Sequence, residues 1–261
     1  MDFRLADVDL NSRFLLGTAG YPSPQVLRQS VEAAGAEVLT VSLRRQMPGV
    51  TAANRFWDMI RATGCRVLPN TAGCRSRKEA ILTARMAREV FDTNWIKLEV
   101  VGDDYNLQPD PMEIVAAAKA LVDDGFEVFP YTTDDLVICQ RLADAGCRVI
   151  MPWASPIGSG QGILNPHALE TLRRRLGDVT LIVDAGIGSP ADAVQAMQLG
   201  MDAVLLNSAV SQAADPVTMA RAFALAIESG RLAFEAGVMQ KHARAVASTP
   251  VVGTPFWHEE P

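Results

Sequence analysis

The sequence predicts an α/β fold, a single-domain (β/α)8 TIM barrel, on three observations. Eight short apolar segments rich in Val, Ile and Leu alternate with helical patterns, as in a parallel sheet covered by helices. The length of 261 residues is close to the roughly 250 of such a barrel. A glycine repeatedly closes a helix just before an apolar run, in GAEVLTV, GCRVLPN, GFEVFPY, GCRVIMP and GMDAVLLN, where a left-handed residue is favoured. A doubly wound open sheet is the alternative, because eight strands do not by themselves prove closure.

In chain order, LADVDLNSR precedes the first barrel strand and reads as an extra strand capping the barrel bottom. The strands follow at Phe14–Gly17, Glu37–Leu43, Arg66–Pro69, Trp95–Val101, Glu127–Tyr131, Arg148–Pro152, Thr180–Asp184 and Asp202–Asn207. Helical patterns between them include Arg77–Phe91, Pro111–Asp124 and Pro190–Leu199. Helix starts are marked by Ser23-Pro24, Asp110-Pro111, Asn165-Pro166, Ser189-Pro190 and Asp215-Pro216. Each is a capping side chain followed by a proline that fits the first helical turn. Residues 1–237 are therefore expected to form the capped barrel, and 238–261, rich in Ala, Thr and Pro, an irregular tail.

Composition narrows the function. The chain is 49% hydrophobic and 21% charged, with a net charge of −6. Such a balance argues against a basic nucleic-acid surface. A bound phosphate would be held by backbone amides rather than by a cationic patch. The longest apolar run, Ala222–Ile227, is six residues, against roughly 20 for a membrane span. The start has no basic segment followed by an apolar core. Cys65, Cys74, Cys139 and Cys147 form no CxxC pair, and there are three histidines, so neither a disulfide framework nor a zinc site is expected. A cytoplasmic protein with reduced thiols and no metal is the expectation.

Barrel active sites lie at the strand C-termini. In the fourth strand, Lys97 and Glu99 share one face, while Ile96, Leu98 and Val100 share the other. The charged pair then points into the barrel. Of four lysines, only Lys97 is embedded in an apolar strand. An unperturbed lysine, of pKa about 10.4, is neutral in only about one copy in 2,500 at pH 7. Burial should lower that pKa and make an amine nucleophile. Lys97 is thus a Schiff-base candidate with Glu99 as acid/base beside it; a buried structural ion pair is the alternative. Asp184, ending the seventh strand, is a second acid/base candidate or a turn cap.

The seventh strand runs into Ala185-Gly186-Ile187-Gly188, and the eighth into Asn207-Ser208-Ala209. Barrels often hold a phosphate in these two loops. Glycines let the backbone approach it, and helix starts favour an anion. Gly186, Gly188, Asn207 and Ser208 are the candidates. The glycine-rich segment Ser155–Gly162 is either a lid or a plain flexible loop. Asn70, Tyr131, Thr132 and Thr133 end strands and are expected to line the pocket. Cys74 is a weak nucleophile candidate, and His167 reads as a helix-start residue.

These stretches resemble the bacterial thiazole synthase family. TVSLRR, LPNTAGCR, TNWIKLEV, PYTTDD, PIGSGQGILNP, VDAGIG and DAVLLN carry the resemblance, which runs from Leu16 to Gly237. It implies an imine between Lys97 and the ketone of 1-deoxy-D-xylulose 5-phosphate, with Glu99 and Asp184 as acid/base groups. It implies phosphate contacts at Gly158, Ala185, Gly186, Asn207 and Ser208. It further implies dehydroglycine as co-substrate, sulfur from a carrier protein's C-terminal thiocarboxylate, a homotetramer, and no metal or organic cofactor. Two departures stand out: LGTAGYPS replaces the commoner LGTGKYPS, and NSA replaces NTA. A Schiff-base aldolase or lyase on the same barrel, and a non-catalytic phosphosugar-binding scaffold, are the rival readings.

Overall fold

A computed structural model describes residues 3–43, 50–246 and 248. The barrel strands are β3 (Phe14–Gly17), β4 (Val38–Ser42), β5 (Arg66–Asn70), β6 (Trp95–Leu98), β7 (Glu127–Thr132), β8 (Val149–Pro152), β9 (Thr180–Asp184) and β10 (Ala203–Leu206). They close in the order β10-β3-β4-β5-β6-β7-β8-β9. Closure is made by β10 against β3, with Val204, Leu205 and Leu206 in parallel register with Phe14, Leu15 and Leu16. A doubly wound sheet would leave those two edges unpaired, so the fold is the (β/α)8 barrel.

The helices are α1 (Pro24–Ala34), α2 (Val50–Ala62), α3 (Arg77–Phe91), α4 (Pro111–Asp123), α5 (Leu136–Asp144), α6 (Pro166–Arg175), α7 (Pro190–Gln198), the single turn α8 (Ser208–Ser211), and α9 (Pro216–Ala236). The capping residues act as their sequence suggests. Ser23, Asp110, Asn165 and Asp215 each accept from backbone N–H groups of the first turn, satisfying donors that would otherwise be orphaned.

The N-terminal cap differs from the single strand expected. It is a hairpin, β1 (Phe3–Leu5) against β2 (Val8–Leu10), antiparallel. Ala6, at φ 53°, makes the reversal possible. Phe3, Leu5 and Leu10 bury against Leu15, Val38, Leu68, Trp95, Phe129, Val149 and Ile182 inside the barrel. The hairpin thus plugs the barrel bottom, tied there by Arg148 reaching Asp7 at 2.8 Å. The second core lies between sheet and helices and contains Ile96, Leu98 and Val100. That places Trp95, Lys97 and Glu99 on the inward face, as strand alternation requires.

Asp202 illustrates how the bottom of the barrel is fastened. It is not in strand β10. Its Oδ2 accepts from the Leu181 N–H and from Arg173 Nη1, both at 2.8 Å. Arg173 in turn donates to the carbonyls of Gly177 and Val179. Asp202→Ala removes the carboxylate partner of a part-buried guanidinium and the acceptor of a strand N–H at once. We expect it to cost about 2 kcal/mol, since hydrogen bonds to charged groups contribute roughly 1.5–3 kcal/mol each. Urea denaturation with an unchanged m-value would show the loss.

Candidate active site

Lys97, Glu99 and Asp184 converge at the C-terminal end of the barrel. Lys97 Nζ is 2.6 Å from Asp184 Oδ2 and 3.2 Å from Glu99 Oε1. All three side chains are under a tenth exposed. The contact to Asp184 is a close, buried ion pair.

Local structure holds each group. Lys97 and Asp184 sit on strands, in register with neighbours that cannot slide. Glu99 lies just past the end of β6 and is fixed by Thr71. The Thr71 hydroxyl accepts from the Glu99 N–H at 2.8 Å and donates to the Glu99 carbonyl at 2.7 Å. Thr71 escapes a search that stops at strand ends, because it lies one residue beyond β5. Its signal is a fully buried hydroxyl residue directly after Asn70.

The electrostatics correct one expectation. Burial alone would push the Lys97 amine down, but the two carboxylates outweigh it and hold the pKa above the ordinary lysine value. Asp184 is also raised, chiefly by burial; Lys97 opposes this and the negative charge of Glu99 adds to it. An acid paired with one lysine usually falls. Here two carboxylates share one ammonium, so the buried cluster carries an excess negative charge. At rest the lysine is protonated, and the amine must give up a proton to become a nucleophile.

The cluster forms the floor of a cavity of about 230 Å3. Every residue implied by the resemblance lines it: Lys97, Glu99, Asp184, Gly158, Ala185, Gly186, Asn207 and Ser208. Around the rim, the backbone N–H groups of Gly158, Gly186, Ser208 and Ala209 have no acceptor among the described residues. Ala185 holds φ 78°, a left-handed conformation rare outside glycine, and such strain persists only where the surroundings enforce it. Its carbonyl accepts from the Ala154 N–H at 3.1 Å. The opposite wall is polar and uncharged, with Thr18, Thr40, Ser42 and Asn70.

Other expectations need adjustment. Gly188 does not line the cavity: its N–H, like that of Ser189, donates to the Asp192 carboxylate. Asp192 thereby occupies the N-terminus of α7, so that helix start is not open to a ligand. Asn70 lines the cavity, but Tyr131, Thr132 and Thr133 do not. Cys74 is fully buried outside the cavity, with Sγ 3.4 Å from Thr83 Oγ1. His167 opens α6, its carbonyl accepting from Thr171. Segment 155–162 is stitched to the loop after β9: the Gly162 N–H and the Ser155 hydroxyl both donate to the Gly186 carbonyl, at 2.8 and 3.2 Å. Of TVSLRR, Arg44 and Arg45 lie outside the described residues, as does nearly all of the tail beyond Val246. Among the described residues no group of three or more His, Cys, Asp or Glu could hold a metal ion. No described helix is long and apolar enough to cross a membrane.

Comparison with known proteins places the chain in a family. A thiazole synthase of Coxiella burnetii (strain RSA 493 / Nine Mile phase I) is 58% identical over 257 residues, covering 98% of this chain and 99% of that protein. One of Rhodopseudomonas palustris (strain BisB5) is 58% identical over 252 residues, covering 97% of each. Among solved structures, a chain of the Amycolatopsis orientalis BexX/CysO complex superposes with a TM-score of 0.84 at 32% identity, covering 93% of this chain and 98% of that one. Residues 4–250 match the sequence model of the family described as thiazole biosynthesis protein ThiG, and the chain belongs to that family.

Proposed function

We propose that the chain is a thiazole synthase in which Lys97 forms an imine with the ketone of 1-deoxy-D-xylulose 5-phosphate. The observation that carries this reading is a lone buried lysine between two carboxylates on a cavity floor, beneath uncommitted backbone amides. The amides of Gly158, Gly186, Ser208 and Ala209, with the Ser208 hydroxyl, suit a phosphate, since an anion bound by backbone donors needs no cationic patch.

Protons then follow the carboxylates. The Lys97 ammonium passes a proton to Asp184 or Glu99, and the freed amine adds to the ketone carbon. The same carboxyl returns its proton to the carbinolamine oxygen, which leaves as water. The product iminium carries the charge the ammonium had, so the buried cluster keeps its net charge. An iminium withdraws electrons from the adjacent carbon, and in this reading Glu99 and Asp184 move protons there during isomerisation. Sulfur delivered as a carrier-protein thiocarboxylate, followed by dehydroglycine, would complete the ring. The cavity opens at the strand C-termini, where a protein's C-terminal tail can enter, and a chain 32% identical to this one was solved as part of the BexX/CysO complex. A homotetramer in the cytoplasm and the absence of any metal or organic cofactor belong to the same reading, as does a barrel ending near residue 237.

Intact mass after incubation with the sugar phosphate and borohydride tests the imine. Wild type should gain the reduced adduct, and Lys97→Arg should not. No adduct on wild type that demonstrably binds the sugar phosphate overturns the imine. Because the carboxylates hold the amine protonated, the rate of trapping should rise with pH from 6 to 9; a flat profile contradicts that assignment. A Schiff-base aldolase on the same barrel would turn over without a thiocarboxylated partner, and this separates the two readings.

A further inference from the structure

Tyr131 is the buried titratable group that the chemistry above leaves unused. It lies at the top of β7 on the strand's inward face, two residues beyond Phe129, and is 2% exposed. Its hydroxyl has no hydrogen-bond partner. Its ring centroid is 5.9 Å from Lys97 Nζ. Burial, and then the negative charges of Asp184 and Glu99, push the phenol well above its ordinary value, so it remains a neutral donor at any working pH.

An unsatisfied buried hydroxyl is a standing penalty. Phenylalanine would fill the same space without it. The charged groups facing the ring are Lys97 and Glu99 from the β6 side and Asp184 from β9. With Lys97 protonated, the ammonium serves both carboxylates and the phenol has no role. When the amine gives up its charge to attack a ketone, one carboxylate takes the proton and the other loses its cation. The Tyr131 hydroxyl, buried and without a hydrogen-bond partner, with its ring 5.9 Å from Lys97 Nζ, is a donor free to serve that second carboxylate.

We propose that Tyr131 is a positioning residue that donates a hydrogen bond to the ionised carboxylate while Lys97 is neutral. It acts through Glu99 or Asp184 and does not touch the substrate, in keeping with its place outside the cavity lining. No bond to Tyr131 forms or breaks, and its proton stays on oxygen. The effect is to ease deprotonation of the lysine and so to set the pH at which the amine becomes reactive. This inference rests on the imine reading above.

Tyr131→Phe tests it, read three ways on the full-length protein: borohydride trapping across pH 6–11, the concentration dependence of trapping on sugar phosphate, and the melting temperature. Because the carboxylates hold the wild-type amine protonated beyond the ordinary lysine value, the rate from pH 6 to 9 should fall about 3–10-fold below wild type and the gap should narrow toward pH 11 as the amine loses its proton, since one pH unit is a tenfold change in neutral amine. Half-saturation by the sugar phosphate should be unchanged, and the melting temperature unchanged or higher. A pH profile superimposable on wild type overturns the proposal. So does a fall in rate that is uniform across pH and comes with a lower melting temperature, which is the mark of a packing role. If wild type itself forms no adduct, the imine reading has failed rather than the role of Tyr131, and the two failures are told apart by that control.

Discussion

Lys97→Met is expected to abolish the borohydride-trapped adduct and to destabilise the protein in a pH-dependent way. The substitution leaves Glu99 and Asp184 buried without their cation. Removing one partner of a buried ion pair costs roughly 3–5 kcal/mol. For a chain of this size each kcal/mol is about 2–4 °C in melting temperature, so a fall of roughly 10 °C is expected near neutral pH. The sign of the pH dependence follows from linkage. Without Lys97 the folded-state carboxyls bind protons more tightly than in the unfolded chain. Stability is then retained at low pH and lost as pH rises through the raised folded values. The difference in melting temperature between wild type and Lys97→Met should therefore be small near pH 5 and grow toward pH 8. Lys97→Arg, which keeps a cation, should lose the adduct with a smaller loss of stability. A pH-independent difference would mean that the carboxylates do not depend on the lysine for their ionised state.

The second large effect is expected at Gly186. It holds φ 85°, and a Cβ built there would lie 2.1 Å from Ser155 Oγ and 2.3 Å from the Ser155 backbone N. The neighbour is backbone, so it cannot swing aside. Gly186→Ala therefore combines left-handed strain of about 1–2 kcal/mol with overpacking of about 1–3 kcal/mol. The two loops are joined here through the Gly186 carbonyl, which accepts from Gly162 N and Ser155 Oγ. Displacing them also disperses the amides of Gly158 and Gly186. We expect a loss of about 2–4 kcal/mol in stability and at least tenfold weaker binding of the sugar phosphate, read by calorimetry. A variant that binds as wild type would show that these amides do not hold the phosphate.

Much of this site could be read along the chain. Lys97 stands out because it is the one lysine in an apolar strand, and Glu99 because strand alternation puts it on the same face. Asp184 and Asn207 were found because barrels work at their strand ends. Gly188 misled because it looks like Gly186. Only the packed loop reveals that Asp192, four residues on, has taken its N–H. Thr132 and Thr133 misled because a strand end marks height in the barrel, not which way a side chain faces once neighbouring loops fold over it. In sequence the N-terminal hairpin reads as one strand, because three-residue strands carry too short an alternation to show a reversal at Ala6.

The alternation of strands and helices, the helix caps and the lysine-bearing strand followed from local rules: a period of two, a period near four, and residues suited to turns and caps. Those rules act between neighbours in sequence, so one chain is enough to read them. The protonation of Lys97 is of another kind. Asp184 lies 87 positions away in the chain yet 2.6 Å away in space. Its charge, together with that of Glu99, reverses the shift that burial alone would give. Electrostatic energy depends on distance and local dielectric, and neither exists until the barrel closes and carries β9 round to face β6.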